Sequence, residues 1–235
     1  MKKKAALLCA VLMLLIGAAG YLRLLQEVGE RGGSEGTQRS SILEKYSENS
    51  DMIGWLTVEG TGIDYPVMRG EKYLSRDFSG EQSREGCLFV EEDWSADDLC
   101  TLIYGHNNWM KGTMFHPLHR FEEKEFFDSH RNIRFYVIRD DGAYLEERRL
   151  AVLHCIRTEV DTWNYASCQY ITSMEELRAF MSECGRRAMY QQEGSFHFGS
   201  VVLSTCSYHV AGRNGRLVIT GGQGEKSKIV KNSLI

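Results

Sequence analysis

VVLSTCSYHVAGRNGR, residues 201–216, opens with an apolar β-branched run, passes through Ser204, Thr205 and Cys206, and reaches Arg216 after a loop holding Gly212 and Gly215. The run 201–205 has the composition of a buried strand, and RLVIT at 216–220 reads as a second one. Cys206 then sits at a strand mouth, and antiparallel pairing brings the Arg216 guanidinium beside its thiol, while Arg213 stays in the loop. A fixed cation favours thiolate, the nucleophile of acyl transfer. The same guanidinium can donate hydrogen bonds to the oxyanion of a tetrahedral intermediate. A structural cysteine next to a surface arginine is the plainer reading of the same residues.

Working outward, further strands are expected over 55–58, 87–90, 99–104, 133–138, 144–147 and 150–156, with Ile63, Tyr65 and Val67 alternating in another. So many short strands separated by turn residues point to a mainly β chain whose sheet closes into a barrel or stacks as a sandwich, because closure removes exposed edges. Helical patterns are few. Residues 41–56 begin with a short amphipathic helix. A helical stretch over 114–121 places Pro117 in its first turn, where a missing amide proton does little harm. Ser173 and Glu176 form a capping box, after which Leu177, Phe180, Met181 and Cys184 share one helix face.

The chain of 235 residues has room for one sizeable core. Three lysines precede an uncharged run over 5–22, close to the length that spans a bilayer. Residues 1–26 are therefore expected to anchor the chain with Lys2, Lys3 and Lys4 on the cytoplasmic side. The pattern also fits a cleaved signal peptide. Residues 27–40 read as a flexible linker rich in Gly, Ser and charge, and 41–235 as an extracellular catalytic domain. With Lys2, Lys3, Lys4 and Arg23 set aside, the 28 basic side chains fall to 24 against 32 acidic ones, which leaves no electrostatic footprint for nucleic acid. The seven cysteines include no C-x-x-C pair, which argues against a zinc site and against a dense disulfide framework. Cys87, Cys100, Cys155, Cys168 and Cys184 read as small buried hydrophobes.

A thiolate alone cannot expel an amine; an acid must protonate the leaving nitrogen, and histidine is the usual choice. Of seven histidines, His106 stands out because TLIYGHNNW, residues 101–109, repeats the design of the cysteine strand, an apolar run ending in a reactive side chain. His209 is its rival, close to Cys206 in sequence but in a loop. His116 and His119, in H-P-L-H, lack a third ligand and read as a solvated helix face rather than a metal site. Chain order narrows the class: papain-like enzymes put the cysteine first, and caspases need a Q-A-C-x-G signature that is absent here.

With Y-G-H at 104–106, L-S-T-C at 203–206 and Arg216 beyond, the chain resembles a class B sortase. The likeness runs through most of 41–220 and includes W-L at 55–56, Y-L-x-x-D-F at 73–78, G-C-L-F at 86–89 and T-M-F at 113–115. Val202 departs from the family's signature, which usually has a hydroxyl residue there. The resemblance implies an eight-stranded sortase-type β-barrel with an N-terminal helix and a helix inserted before the cysteine strand. It implies a catalytic triad of His106, Cys206 and Arg216, and a peptide groove lined by Leu74, Tyr104, Tyr165, Ser204 and Thr205. Such enzymes cut the C-terminal sorting signal of a secreted protein after its threonine, form a thioester and pass the acyl group to a peptidoglycan precursor amine, without metal or cofactor. On this reading the protein sits in the cell membrane as a single-pass chain of a Gram-positive cell. A pilin-polymerising relative using a pilin lysine, and a non-catalytic peptide-binding module, are the alternatives; the second membrane helix and lid common in class C pilus enzymes are absent from the sequence.

Overall fold

The computed structural model describes residues 36–208 and 214–224, and the main chain of 229–231. The chain divides into two compact units at Lys45 and Tyr46. A helix, α1, runs over 36–48, reaching into the segment read as linker. Twelve strands follow among the described residues: β1 (Met52–Val58), β2 (Ile63–Arg69), β3 (Leu88–Val90), β4 (Cys100–Tyr104), β5 (Asn107–Asn108), β6 (Thr113–Met114), β7 (Asn132–Arg139), β8 (Tyr144–Glu159), β9 (Tyr190–Gln191), β10 (Ser200–Cys206), β11 (Gly215–Gly222) and β12 (Ile229–Lys231). Helices α2 (Lys124–Ser129) and α3 (Met174–Arg187) interrupt them.

Eight strands close into a barrel in the order β11-β10-β4-β3-β2-β1-β7-β8, with β8 pairing back onto β11. β9 and β12 add to β8 outside the ring, and β5 and β6 form a separate hairpin. Alternation along β10 and β11 feeds two cores. Val201, Leu203, Leu217 and Ile219 point into the barrel with Leu56, Ile103, Phe115 and Val137. Val202 and Val218 point outward, where Leu102, Ile156, Tyr165, Leu177 and Phe180 cover them. Each such side chain contributes about 1.5–3 kcal/mol on burial. The cysteine strand is therefore buried on both faces, which is why Val201, Val202 and Leu203 follow one another without polar alternation.

Helix α3 begins as its sequence demands. The Ser173 hydroxyl accepts the Glu176 amide at 3.2 Å, and the Glu176 carboxylate accepts the Ser173 amide at 3.1 Å. The helical stretch expected over 114–121 forms a 3-10 helix, His116–Glu122, with Pro117 in its first turn, before the short α2. The strands expected over 144–147 and 150–156 are one strand of 16 residues. Its charged centre, EERR, spans the break between the two expected strands, and there Arg148 donates to Glu146 at 2.7 Å and Arg149 to Glu147 at 2.7 Å. Residues two apart share a strand face, so each pair neutralises itself and the strand continues.

The expected single-pass placement in the cell membrane is corrected. Among the described residues no helix is long and apolar enough to cross a membrane. α3, with 14 residues, falls short of the roughly 20 a bilayer requires. The run 5–22 that carried the expectation, and the whole anchor 1–26, lie outside the described residues.

Candidate active site

β4 and β10 lie side by side and parallel, with Tyr104 in register with Ser204, so both strands end at the same mouth of the barrel. β11 flanks β10 on its other side, antiparallel, with Cys206 opposite Arg216. The Ser207 amide donates to the Gly215 carbonyl at 2.9 Å. That rung makes Cys206 and Arg216 a non-hydrogen-bonded pair, the kind in which facing side chains approach most closely. By alternation Tyr104, Ser204, Cys206 and Arg216 all project from the outer face of the barrel wall, the face that carries Leu102, Val202 and Val218. Cys206 and Arg216 are half-buried, and one Arg216 guanidinium nitrogen donates to the Gly215 carbonyl at 2.9 Å.

His106 follows β4 after a single glycine. A Cβ on Gly105 would meet Leu88 Cδ2 at 2.5 Å and Phe115 Cδ2 at 2.7 Å, so no larger residue fits between the strand and the histidine without displacing the core. Two bonds lock this corner to the cysteine strand. The Gly105 amide donates to the Ser204 carbonyl at 3.2 Å, and the Thr205 hydroxyl donates to the Gly105 carbonyl at 2.8 Å. The half-buried His106 ring places Nε2 at 2.8 Å from the Leu74 carbonyl, which can only accept, so Nε2 carries the proton and Nδ1 is the acceptor nitrogen.

The other groove residues divide by depth. Leu74, 39% exposed, ends a 3-10 turn over Glu71–Leu74. Tyr104 is half-buried and stacks on Phe89 at 5.3 Å, and burial pushes its phenol well above the usual range. Two residues back along the same face, a cavity of about 270 Å³ is lined by Glu91, Leu102, Tyr170 and Ile171, among others. Ser204, Thr205 and Tyr165 are buried, and the Ser204 hydroxyl donates to the Tyr165 hydroxyl at 2.9 Å. Ser204 and Tyr165 are covered within the outer core while Thr205 faces the opposite way, and the polar groups of all three are spent holding the wall.

Cys87, Cys100, Cys155, Cys168 and Cys184 are free and buried, as their apolar settings suggest. Burial pushes the Cys87 and Cys155 thiols up to about 12. His209 and Arg213 lie outside the described residues. His116 and His119 are not a solvated face: both are half-buried and hydrogen-bonded, through Asn107 and Glu122. No group of three or more His, Cys, Asp and Glu among the described residues is arranged to hold a metal ion. Asn107, which bonds the main chain of Cys206, is the residue that sequence reasoning passed over; its place directly after Y-G-H was the available signal.

No family model matches the chain. It is similar to sortase B of Listeria monocytogenes, 27% identical over 194 residues, covering 79% of this chain and 75% of that one. It is also similar to sortase B of Staphylococcus aureus, 24% identical over 248 residues, covering 97% and 96%. Among solved structures, sortase B of Bacillus anthracis superposes with a TM-score of 0.61 at 27% identity, covering 80% of this chain and 82% of that one. A class B sortase of Streptococcus pyogenes involved in pilus biogenesis gives 0.63 at 27%, covering 76% and 95%. Clostridium perfringens sortase B, at 23% identity, shares the fold with a TM-score of 0.68, covering 77% and 98%.

Proposed function

We propose that this class B sortase, a cysteine transpeptidase, cuts the C-terminal sorting signal of a secreted protein after a threonine and joins the new carboxyl end to an amine. The Cys206 thiol gives its proton to the acceptor nitrogen of His106, and the sulfur attacks the scissile carbonyl carbon. Arg216, its cross-strand partner, donates to the carbonyl oxygen as it becomes an oxyanion. His106 gives its proton to the departing nitrogen, the C–N bond breaks and a thioester remains. An incoming amine then attacks that thioester and loses its proton to His106. The C–S bond breaks and a new amide forms. The thioester keeps the energy of the peptide bond, so no nucleotide is required.

The single observation that carries this reading is the register: β10 and β11 set Cys206 against Arg216, and β4 ends in parallel beside β10 with His106 two residues beyond the last paired position. Leu74 and Tyr104 form the wall that a peptide touches, with Tyr165, Ser204 and Thr205 shaping it from behind. Screening a pentapeptide library for cleavage, with products identified by mass, tests the reaction and its specificity together. Trapping a thioester on Cys206 supports the reading, and cleavage that survives Cys206→Ala rejects it. A barrel that binds peptide without forming the thioester would be a binding module.

The acceptor is an amine of a peptidoglycan precursor, as for cell-wall anchoring. A second reading, a pilin lysine as acceptor, is favoured by the likeness to the S. pyogenes enzyme involved in pilus biogenesis. Offering both amines to the acyl-enzyme and weighing the products decides between them.

A further inference from the structure

β4 stops one rung short of what β10 needs. The Gly105 amide reaches the Ser204 carbonyl, and in a continued parallel ladder the amide of residue 107 would reach the next acceptor, the carbonyl of Cys206. The chain instead turns away into the β5–β6 hairpin. The Asn107 side chain takes the missing place: its Nδ2 donates to the Cys206 carbonyl at 2.9 Å. The H-P-L-H histidines serve this contact. His116 Nδ1 lies 2.7 Å from Asn107 Oδ1, which occupies the amide oxygen and turns the nitrogen towards Cys206. His119 Nε2 lies 3.2 Å from the same Cys206 carbonyl and 3.0 Å from Asn107 Nδ2.

Behind His119 the chain of contacts goes on. Its Nδ1 is 2.9 Å from Glu122, whose other carboxylate oxygen accepts from Arg157 on β8. Burial alone would raise the Glu122 carboxyl, but the bonds from His119 and Arg157 outweigh it and hold the group at about 2. The carboxylate is thus charged at any working pH and fixes the proton-bearing nitrogen of the ring as Nδ1.

We propose that Asn107 is a positioning residue that completes the β4–β10 ladder with its side chain and so holds the main chain of Cys206, and its sulfur, beside Arg216, and that the His119–Glu122–Arg157 chain holds Asn107 in turn, His119 Nε2 accepting the second Nδ2 proton. The inference rests on the reading of Cys206 as nucleophile. Cys206 is the last residue of its strand, and a displacement of about 1 Å at a reacting atom can cost roughly a hundredfold in rate.

Asn107→Asp keeps the shape but replaces the donor with an acceptor; His119→Ala removes the acceptor that holds Asn107 Nδ2; His119→Gln restores an acceptor in its place. Acylation at saturating peptide is expected to fall about ten- to a hundredfold in the first two, with KM within about twofold and the melting midpoint little changed, and to recover in His119→Gln. Wild-type rates in the first two, or His119→Gln as slow as His119→Ala, would overturn the proposal. So would rate losses that merely track unfolding. The Ser207 amide nitrogen, next to the Cys206 carbonyl, supplies an NMR readout that needs no turnover. Its shift should move in Asn107→Asp and His119→Ala and return in His119→Gln; an unmoved resonance defeats the positioning role. Failure of the transpeptidase reading is a different result, a wild-type protein that cleaves no peptide while that resonance still responds.

Discussion

Cys206 and Arg216 face each other across β10 and β11 as the last pair of their ladder, on the outer face of the barrel wall. Ten residues of separation become a cross-strand pair because β10 and β11 run antiparallel. Arg216→Ala is expected to lower kcat/KM for a cleaved peptide by about 10²–10³, the usual effect of losing an oxyanion donor. Arg216→Lys should recover only part of it, since an ammonium keeps the charge but not the planar fork of donors. Steady-state kinetics on the three proteins test this; full activity in Arg216→Lys would reduce the arginine to a point charge.

Gly105 is a spacer between strand and histidine. Gly105→Ala would drive a Cβ into Leu88 and Phe115, both inside the barrel core, at a cost of about 1–3 kcal/mol. The expected signs are a lower melting midpoint together with a larger loss of acylation than the instability accounts for, because His106 hangs directly from this corner. A variant that melts early but acylates at the wild-type rate would show that His106 is held from elsewhere.

Thiol reagents offer a direct check on which cysteine is reactive. Cys206 is half-buried, whereas the five other described cysteines are buried. Brief treatment of the folded protein with iodoacetamide should alkylate Cys206 ahead of the five other described cysteines, with the adduct located by peptide mass mapping and absent from Cys206→Ser. Labelling at Cys87 or Cys155 before Cys206 would contradict the order of burial.

The strands of the barrel, the capping box of α3 and the two strand ends that carry His106 and Cys206 were legible in the sequence because each is local: a run of apolar residues, a Ser and Glu three apart, a histidine or cysteine where such a run ends. What escaped depends on partners distant in sequence. Arg148 and Arg149 separate the strands expected over 144–147 and 150–156 until their pairing with Glu146 and Glu147 inside β8 is seen. His116 and His119 read as solvated until Asn107 and Glu122 turn them inward. The role of Asn107 requires knowing that β4 ends one rung before β10 does. Tyr165 and Ser204 were read as groove residues on resemblance, and their depth follows from the outer core that α3 lays over them.

The Glu146–Arg148 pair is fully enclosed: Arg148 also donates to the Ala96 carbonyl at 2.7 Å and its guanidinium lies 5.2 Å from the Phe198 ring. Glu146→Ala leaves a buried cation without its counter-ion and is expected to cost about 3–5 kcal/mol. Glu146→Leu combined with Arg148→Met removes both charges and should cost clearly less. Urea denaturation of the single and double variants measures the difference, and a double variant as unstable as the single would mean the pair contributes through shape rather than charge.

Stability should also fall in mild acid through His154. The ring is buried in β8, with Nδ1 at 2.8 Å from the Thr220 hydroxyl and Phe196 edge-on at 5.9 Å, and burial lowers it from 6.5 to about 4. Between those two values the unfolded chain binds a proton that the folded chain refuses, so the contribution is present above pH 6.5 and declines as pH drops towards 4, by at most about 1.4 kcal/mol per pH unit. Carboxylates titrate mainly below pH 5, which leaves pH 5 to 6.5 as the window in which the histidine dominates. His154→Gln lacks this group while keeping the other histidines, so across that window the wild type should lose about 1–2 kcal/mol more unfolding free energy than the variant. Parallel curves for the two proteins would show that His154 accepts its proton without leaving the fold.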